Sequence, residues 1–148
     1  MRVITLISSS NIAGLGMNFK KARNIADLQA LSRQRLPKPM YHFIEGGADD
    51  EITLRRNSSA FDDYSLTPNY LNDVADIDTT SSFLGQMSAL PLLLSPTGTS
   101  RLFHHEKELG VAKAAAKFEI PYSLSAMSTT SIEDIGASSN GHKIFQVY

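Results

Sequence analysis

The sequence contains no cysteine. This absence excludes disulfide bonds, thiolate zinc sites, iron–sulfur clusters and a cysteine nucleophile, and it fits a reducing compartment. Long apolar runs are also missing, because no window approaches the roughly 18 consecutive apolar residues that a membrane-spanning helix needs. The formal charge of −1 gives no electrostatic basis for binding nucleic acid. We therefore expect no nucleic-acid partner and no membrane-spanning segment in this sequence.

The chain from residue 25 to residue 63 carries three helical patterns. Apolar residues recur at near-helical spacing over residues 25–36, and Pro37 and Pro39 are then expected to end that helix. A second helical piece covers residues 40–44, and a third opens with the acidic residues 49–51, whose charge suits a helix amino terminus. These patterns predict an all-helical segment ahead of any sheet.

Two other stretches lack such periodicity. Residues 1–24 are expected to form a flexible or non-homologous extension. Residues 64–89 scatter single apolar side chains among Asp, Asn, Thr and Ser, which predicts irregular chain with short extended pieces. The sequence over residues 84–88 predicts a hairpin turn at the end of that stretch.

The second half is organised around the apolar run at residues 90–94, which is followed by the turn at residues 95–98. An apolar residue at every position predicts a parallel strand that is covered on both faces. Further elements follow it: a helix at 109–118, a strand at 120–125, a short helix at 131–135 and a strand at 143–148. The order strand, helix, strand, helix, strand predicts parallel strands joined by right-handed crossovers.

The three predicted strands end in residues suited to a binding site. They end in Pro96-Thr97-Gly98, Ser125-Ala126-Met127 and Gln146-Val147-Tyr148. The carboxyl ends of parallel strands form the ligand-binding edge of α/β folds. A glutamine there can donate and accept hydrogen bonds at once, which suits the imide edge of a flat heterocycle. Each residue alone is equally well explained by strand capping and turns, but together they favour a site.

Other candidate motifs fail on geometry. His104, His105 and Glu106 are adjacent, and adjacent residues on a helix point about 100° apart, so we interpret them as a helix start and predict no metal site. The Gly46-Gly47 pair lacks the spacing of a phosphate-binding loop and is interpreted as a turn. No Ser-His-Asp set is visible.

Several segments, in order from about residue 25 to the end of the sequence, resemble the FMN-dependent α-hydroxy acid dehydrogenase/oxidase family, which includes glycolate oxidase, flavin-type L-lactate dehydrogenase and mandelate dehydrogenase. The matching segments are Leu36-Pro37, residues 46–51, residues 54–57, residues 90–98, Leu124-Ser125, residues 131–133 and residues 145–148. The resemblance implies an α/β fold, the N-terminal part of a (β/α)₈ TIM barrel with about three of its eight strands. Its implied segments are an extension at 1–24, a helical and irregular segment at 25–89 and the first barrel strands and helices at 90–148.

The resemblance also implies roles for single residues. FMN is the implied cofactor, and the cofactor-binding residues would be Pro96, Thr97, Gly98, Ser125 and Gln146. Ser125 would hydrogen-bond the flavin ring and Gln146 would contact its imide edge. Tyr148 would be the catalytic-site residue whose hydroxyl contacts the substrate, and Met127 would line the substrate pocket.

The sequence departs from the family in two places. Phe43, in the substrate pocket, stands where relatives usually place a tyrosine that holds the substrate carboxylate, so that hydroxyl is lost unless Tyr41 or another group replaces it. The family's catalytic histidine and its arginine belong to a His-Gly-x-Arg segment that would lie beyond Tyr148. A lysine near the flavin and the phosphate site would lie there as well.

The implied activity is oxidation of a small L-2-hydroxy acid to the 2-oxo acid, with electrons passing to oxygen, a quinone or a cytochrome. Without base and arginine, we expect the 148-residue chain to be an inactive N-terminal fragment. The alternative is a catalytically dead remnant or a partner-binding piece of a split barrel. Another FMN-dependent barrel enzyme would need a different ending to the third strand. We expect the cytoplasm or the periphery of the inner membrane as location, and a homo-oligomer for the full-length form.

Overall fold

The computed structural model describes residues 21–148. Most of the predicted extension at residues 1–24 therefore lies outside the described residues. The chain divides into two units, with the division between Asp73 and Val74, and each is described by itself. The predicted segment boundaries after residues 24 and 89 stay predictions. None of the helices among residues 21–148 has the length and apolar character needed to cross a bilayer.

The first unit is helical, as its three sequence patterns predict. Its helices are α1 (Ile25–Arg35), α2 (Lys38–Glu45) and α3 (Ile52–Ser59), and α3 continues into a 3₁₀ turn over Ala60–Asp63. The side chain of Asn24 accepts a hydrogen bond of 2.8 Å from the N–H of Asp27 and so caps α1. The expectation that Pro39 ends α1 is wrong. It lies in the first turn of α2, where a helix loses no hydrogen bond to a missing N–H.

The second unit begins with irregular chain and a hairpin. Strands β1 (Ser81–Phe83) and β2 (Gln86–Ser88) pair antiparallel. Leu84 and Gly85 form the two-residue turn between them with φ of 49° and 76°, the positive pair that matches the twist of a tight hairpin. This hairpin confirms the predicted turn.

Three parallel extended segments follow the hairpin. Strands β3 (Tyr122–Leu124) and β4 (Lys143–Phe145) are parallel neighbours, and Leu94 forms a parallel bridge to Tyr122 on the other side of β3. The N–H of Leu94 donates to the carbonyl of Pro121, and the N–H of Ser123 donates to the carbonyl of Leu94, both at 2.9 Å. Helices α4 (Lys107–Lys117) and α5 (Ile132–Ser138) are the crossovers, which confirms the predicted alternation.

The prediction of a covered strand at residues 90–94 is wrong in extent and in burial. Only Leu94 forms a bridge to β3, and Leu92 is 47% exposed. The N–H of Leu92 donates to the carbonyl of Leu90 at 2.8 Å, which closes a three-residue turn around Pro91. Because Pro91 also has no N–H to donate, the chain becomes regular only after this turn.

Helix α4 packs on the sheet through its smallest side chains. Ala112 and Ala115 are buried in one cluster with Tyr122 and Leu124 of β3 and Ile135 of α5. Alanine carries no side chain beyond its methyl group, so it lets a helix approach a sheet closely. The alanine side chains therefore place α4 in one buried cluster with β3 and α5.

Candidate functional site

The loop after Leu94 is joined to the loop after β3 at the carboxyl edge of the sheet. The N–H of Thr99 donates to the carbonyl of Met127 at 3.0 Å. A Cβ built on Gly98 would lie 2.9 Å from the Cβ of Met127, so only glycine allows the two backbones to come this close. Two of the three strand endings that the sequence predicts to form a site are therefore in contact.

The third strand ending joins them through Gln146. Its N–H continues the sheet by donating to the carbonyl of Leu124 at 2.9 Å. Its side-chain Oε1 accepts two hydrogen bonds of 3.2 Å, one from the hydroxyl of Ser125 and one from the N–H of Ala126. A backbone N–H can only donate, so the atom that faces Ala126 must be the amide oxygen. The Gln146 amide nitrogen is thereby left as the donor end of this side chain.

Ser125 is almost fully buried, with 5% of its surface exposed. Its hydroxyl hydrogen is donated to Gln146, and its oxygen accepts the N–H of Met127 at 3.1 Å. A hydroxyl oxygen has two lone pairs, so one lone pair beyond these contacts can accept another hydrogen bond. The edge thus offers one acceptor, on Ser125, and one donor group, on Gln146.

This donor and acceptor set fits the imide edge of a flavin ring. An imide edge presents an N–H between two carbonyl oxygens, and it needs an acceptor beside a donor. Ser125 supplies the acceptor and Gln146 the donor, while Pro96 and Thr97 lie exposed at the end of the neighbouring extended segment. The five residues expected to bind the cofactor therefore belong to one edge of the second unit.

The predicted substrate residues lie at the surface of their units. Met127 is 56% exposed and Tyr148 is 89% exposed in the second unit. Phe43 lies on α2 of the first unit and is 67% exposed. The neighbouring Tyr41 donates its hydroxyl to Oε1 of Glu45 at 2.6 Å, and this hydrogen bond raises the Tyr41 pKa. The Tyr41 hydroxyl is therefore already engaged.

One buried ionisable group escaped the sequence reasoning. Glu108, on the first turn of α4, is fully buried. Burial acts to raise its pKa, but hydrogen bonds from the backbone N–H of Thr129 and from the Thr130 hydroxyl, with others, outweigh burial and lower the pKa to about 2. The signal was present, because Glu108 precedes the buried Ala112 and Ala115 by four and seven residues and so shares their helix face.

Tyr122 of β3 lies in the buried cluster that includes Ala112 and Ala115 of α4. Its hydroxyl is buried and has no hydrogen-bond partner among the described residues. Burial raises the pKa of Tyr122 to about 12, and the charge of Glu108 acts in the same direction. The Glu108 carboxylate is instead stabilised by hydrogen bonds from Thr129 and Thr130.

The chain is similar to known flavoenzymes over most of its length. A profile of the family described as FMN-dependent dehydrogenase matches residues 32–148. The L-lactate oxidase of Lysinibacillus sphaericus is 38% identical over 124 residues, which is 83% of this chain and 32% of that protein. The peroxisomal (S)-2-hydroxy-acid oxidase of Oryza sativa is 39% identical over 125 residues, which is 84% of this chain and 34% of that protein.

Solved structures agree with the sequence matches. An oxidised active mutant of (S)-mandelate dehydrogenase superimposes with a TM-score of 0.82 and 37% identity, over 84% of this chain and 35% of that chain. The chain spans about a third of the length of the curated relatives that it matches. The α/β arrangement of the second unit is consistent with these matches. By the extent of the profile match, the chain belongs to the family of FMN-dependent dehydrogenases, whose cofactor is FMN.

Proposed function

We propose that this chain supplies the flavin-ring side of the active site of an FMN-dependent oxidoreductase that converts an L-2-hydroxy acid to the 2-oxo acid. The observation that carries the proposal is the pairing of Ser125 and Gln146 at the carboxyl ends of β3 and β4. Bound FMN would supply the chemistry of accepting two electrons from the substrate. The lactate, 2-hydroxy-acid and mandelate chemistry named for the relatives supports this substrate class.

Each residue of the edge has a distinct part in this proposal. The Gln146 amide nitrogen donates to a ring carbonyl, and Ser125 accepts the ring N–H. The backbone at Pro96, Thr97 and Gly98 lies along the ring. Tyr148 presents its hydroxyl to the substrate, and Met127 lines the substrate pocket.

The site is incomplete for catalysis. None of the four histidines is followed by glycine, so the sequence lacks the His-Gly-x-Arg segment that would remove the substrate proton and hold its carboxylate. Phe43 has no hydroxyl to replace that carboxylate contact. The chain also covers about a third of its relatives. We therefore propose an N-terminal portion, inactive alone, with about three of the eight strands of a TIM barrel.

The finer features stay part of the proposal. They are the segments 1–24, 25–89 and 90–148, an electron acceptor that is oxygen, a quinone or a cytochrome, a homo-oligomeric full-length form, and a cytoplasmic or membrane-peripheral location. The second candidate is a dead remnant or a partner-binding piece of a split barrel. It differs from the first in predicting no specific contact with the flavin ring.

The test is a titration of FMN into the 148-residue chain, followed by flavin fluorescence and by the visible absorption spectrum. We expect the chain to quench the fluorescence and shift the spectrum, and Gln146→Leu to weaken binding about tenfold, the equivalent of one lost hydrogen bond to the ring. L-Lactate added to the loaded chain is expected to leave the flavin oxidised.

The matched control is Gln86→Leu, which makes the same change at an exposed position of strand β2 and is expected to leave the affinity unchanged. A folded chain that binds no FMN would favour the dead-remnant candidate. Equal affinities for the wild type and Gln146→Leu would contradict the proposed ring contact. Reduction of the flavin by L-lactate would contradict the claim that the chain is inactive alone.

A further inference from the structure

The buried carboxylate of Glu108 joins two loops that are far apart in sequence. Its Oε1 accepts the backbone N–H groups of Ser100 at 3.3 Å and Thr129 at 3.0 Å. The Thr129 hydroxyl lies 3.1 Å from Oε1 and 2.9 Å from Oε2, and the Thr130 hydroxyl donates to Oε2 at 2.7 Å. One side chain of α4 therefore holds the loop after Leu94 and the loop after β3 together.

These two loops are the ones that carry the cofactor-facing residues. Ser100 follows Gly98 by two residues, and Thr129 follows Ser125 by four. Between them, the N–H of Thr99 donates to the carbonyl of Met127 at 3.0 Å. The Glu108 carboxylate, on α4, is thus bonded to both of these loops.

We propose that Glu108 is a positioning residue for the flavin ring: it holds the loop of Gly98 and the loop of Ser125 at the spacing that the ring requires. The role at the ring rests on the proposed function. The contact between the loops does not depend on the proposed function, because it is given by the hydrogen bonds to Glu108. Glu108 itself touches neither ring nor substrate in this assignment.

The chemistry of the contact calls for oxygen acceptors. An apolar residue at position 108 would leave the N–H groups of Ser100 and Thr129 without this partner, and a buried N–H without a partner is costly. Glutamine keeps one carbonyl oxygen for these N–H groups, and its NH₂ group can donate to a threonine hydroxyl. Glu108→Gln is therefore the conservative variant, and Glu108→Ala is the disruptive one.

The test measures loop order and flavin affinity separately. Amide hydrogen exchange is followed at Ser100 and Thr129 in the flavin-free 148-residue chain, and FMN is then titrated into each variant. For Glu108→Ala we expect at least about tenfold faster exchange at both amides, about tenfold weaker FMN binding and an altered spectrum of the bound flavin. Glu108→Gln keeps an oxygen acceptor and is expected to keep the FMN affinity within about threefold of the wild type. Its amide exchange is expected to lie between those of the wild type and Glu108→Ala, because the charge-assisted bonds are lost.

Two further variants keep the test decisive. Ile135→Val shortens a buried side chain of α5 that is not part of the Glu108 contact, so it lowers global stability and is expected to leave the FMN affinity unchanged. Thr130→Val removes only the 2.7 Å bond. If Glu108→Ala does not fold, the expected result is about threefold weaker FMN binding by Thr130→Val.

The outcomes separate the two proposals. Faster loop exchange with unchanged FMN affinity would overturn the positioning role and leave the proposed function standing. An equal loss of affinity in Ile135→Val would also overturn the positioning role, because general destabilisation would then explain it. A wild-type chain that binds no FMN would overturn the proposed function and the role at the ring, while the exchange data would still test the contact between the loops.

Discussion

Acid is expected to remove the stabilisation that the Glu108 carboxylate gives to the folded chain. The pKa of Glu108 is about 2 in the folded protein, against 4.5 for an unperturbed glutamate. Because the folded-state value is the lower one, the unfolded chain binds a proton at pH values where the folded chain does not. The stabilisation is therefore fully present above pH 4.5 and is lost as the pH falls toward 2.

The size of the effect follows from the two pKa values. The difference corresponds to on the order of 3 kcal/mol at pH 7, and about 2 kcal/mol of this is lost between pH 7 and pH 3. The assay is urea unfolding followed by far-UV circular dichroism at pH 7, 5, 4 and 3, for the wild type and for Glu108→Gln. Both proteins share all other carboxylates, including Asp78, whose pKa is lowered by a hydrogen bond from the backbone of Thr80.

The difference between the two proteins isolates the Glu108 carboxylate. We expect the unfolding free energy of the wild type to fall toward that of Glu108→Gln as the pH is lowered, because a protonated Glu108 has lost its charge-assisted bonds. A difference that stays constant from pH 7 to pH 3 would refute the reasoning. It would mean that the threonine hydrogen bonds do not prefer the charged form.

Two further predictions concern the backbone around the site. Gly98→Ala would bring its Cβ within 2.9 Å of the Met127 Cβ and is expected to lower the unfolding free energy by about 1–3 kcal/mol. The matched change is Gly136→Ala in α5, where no atom lies within 4 Å of the new Cβ, and it is expected to raise the unfolding free energy by up to about 1 kcal/mol. Urea unfolding in which both glycine variants change the free energy in the same direction would contradict this prediction. Ser131→Ala removes the N-cap of α5 and is expected to lower the stability measured by thermal unfolding by about 1 kcal/mol. The control Ser58→Ala, on the exposed face of α3, is expected to leave the stability unchanged, so equal losses of stability would argue against the cap.

Local chemistry made most of the elements predictable. The spacing of apolar residues, the positions of proline and glycine and the acidic residues 49–51 indicated the α-helices α1 to α5 of residues 21–148, and the Leu84-Gly85 pair marked the hairpin turn. The prediction of a covered strand at residues 90–94 failed for two reasons. An apolar run does not show whether other strands flank it, and Pro91 lies in a turn inside the run. Helix α2 begins at Lys38, two residues before the predicted start, because a proline without an N–H can end one helix and also lie in the first turn of the next.

The contacts within the site were less predictable than its location. Strand endings can be found from the chain alone, so Gly98, Ser125 and Gln146 were named together. The direction of the Gln146 amide depends on the N–H of Ala126, which lies 20 residues earlier and approaches only when β3 and β4 pair. The helix face of Glu108 can be found from the sequence, but its hydrogen-bond donors cannot, because they lie up to 22 residues away.

The carboxyl edge of this sheet is held by a series of contacts, each of which joins one strand ending to the next along the chain. Thr99 is bonded to Met127, Ser100 and Thr129 are both bonded to the Glu108 carboxylate, and Ser125 with Ala126 is bonded to Gln146. Each contact is made by groups of the next strand ending or by Glu108 of the crossover helix α4. The proposed ring-facing groups are therefore positioned by contacts within the second unit alone. Under the proposed function, we therefore expect binding of the ring and removal of the substrate proton to depend on separate sets of residues. A chain that has the ring-facing residues but lacks the His-Gly-x-Arg segment is expected to bind flavin without reducing it.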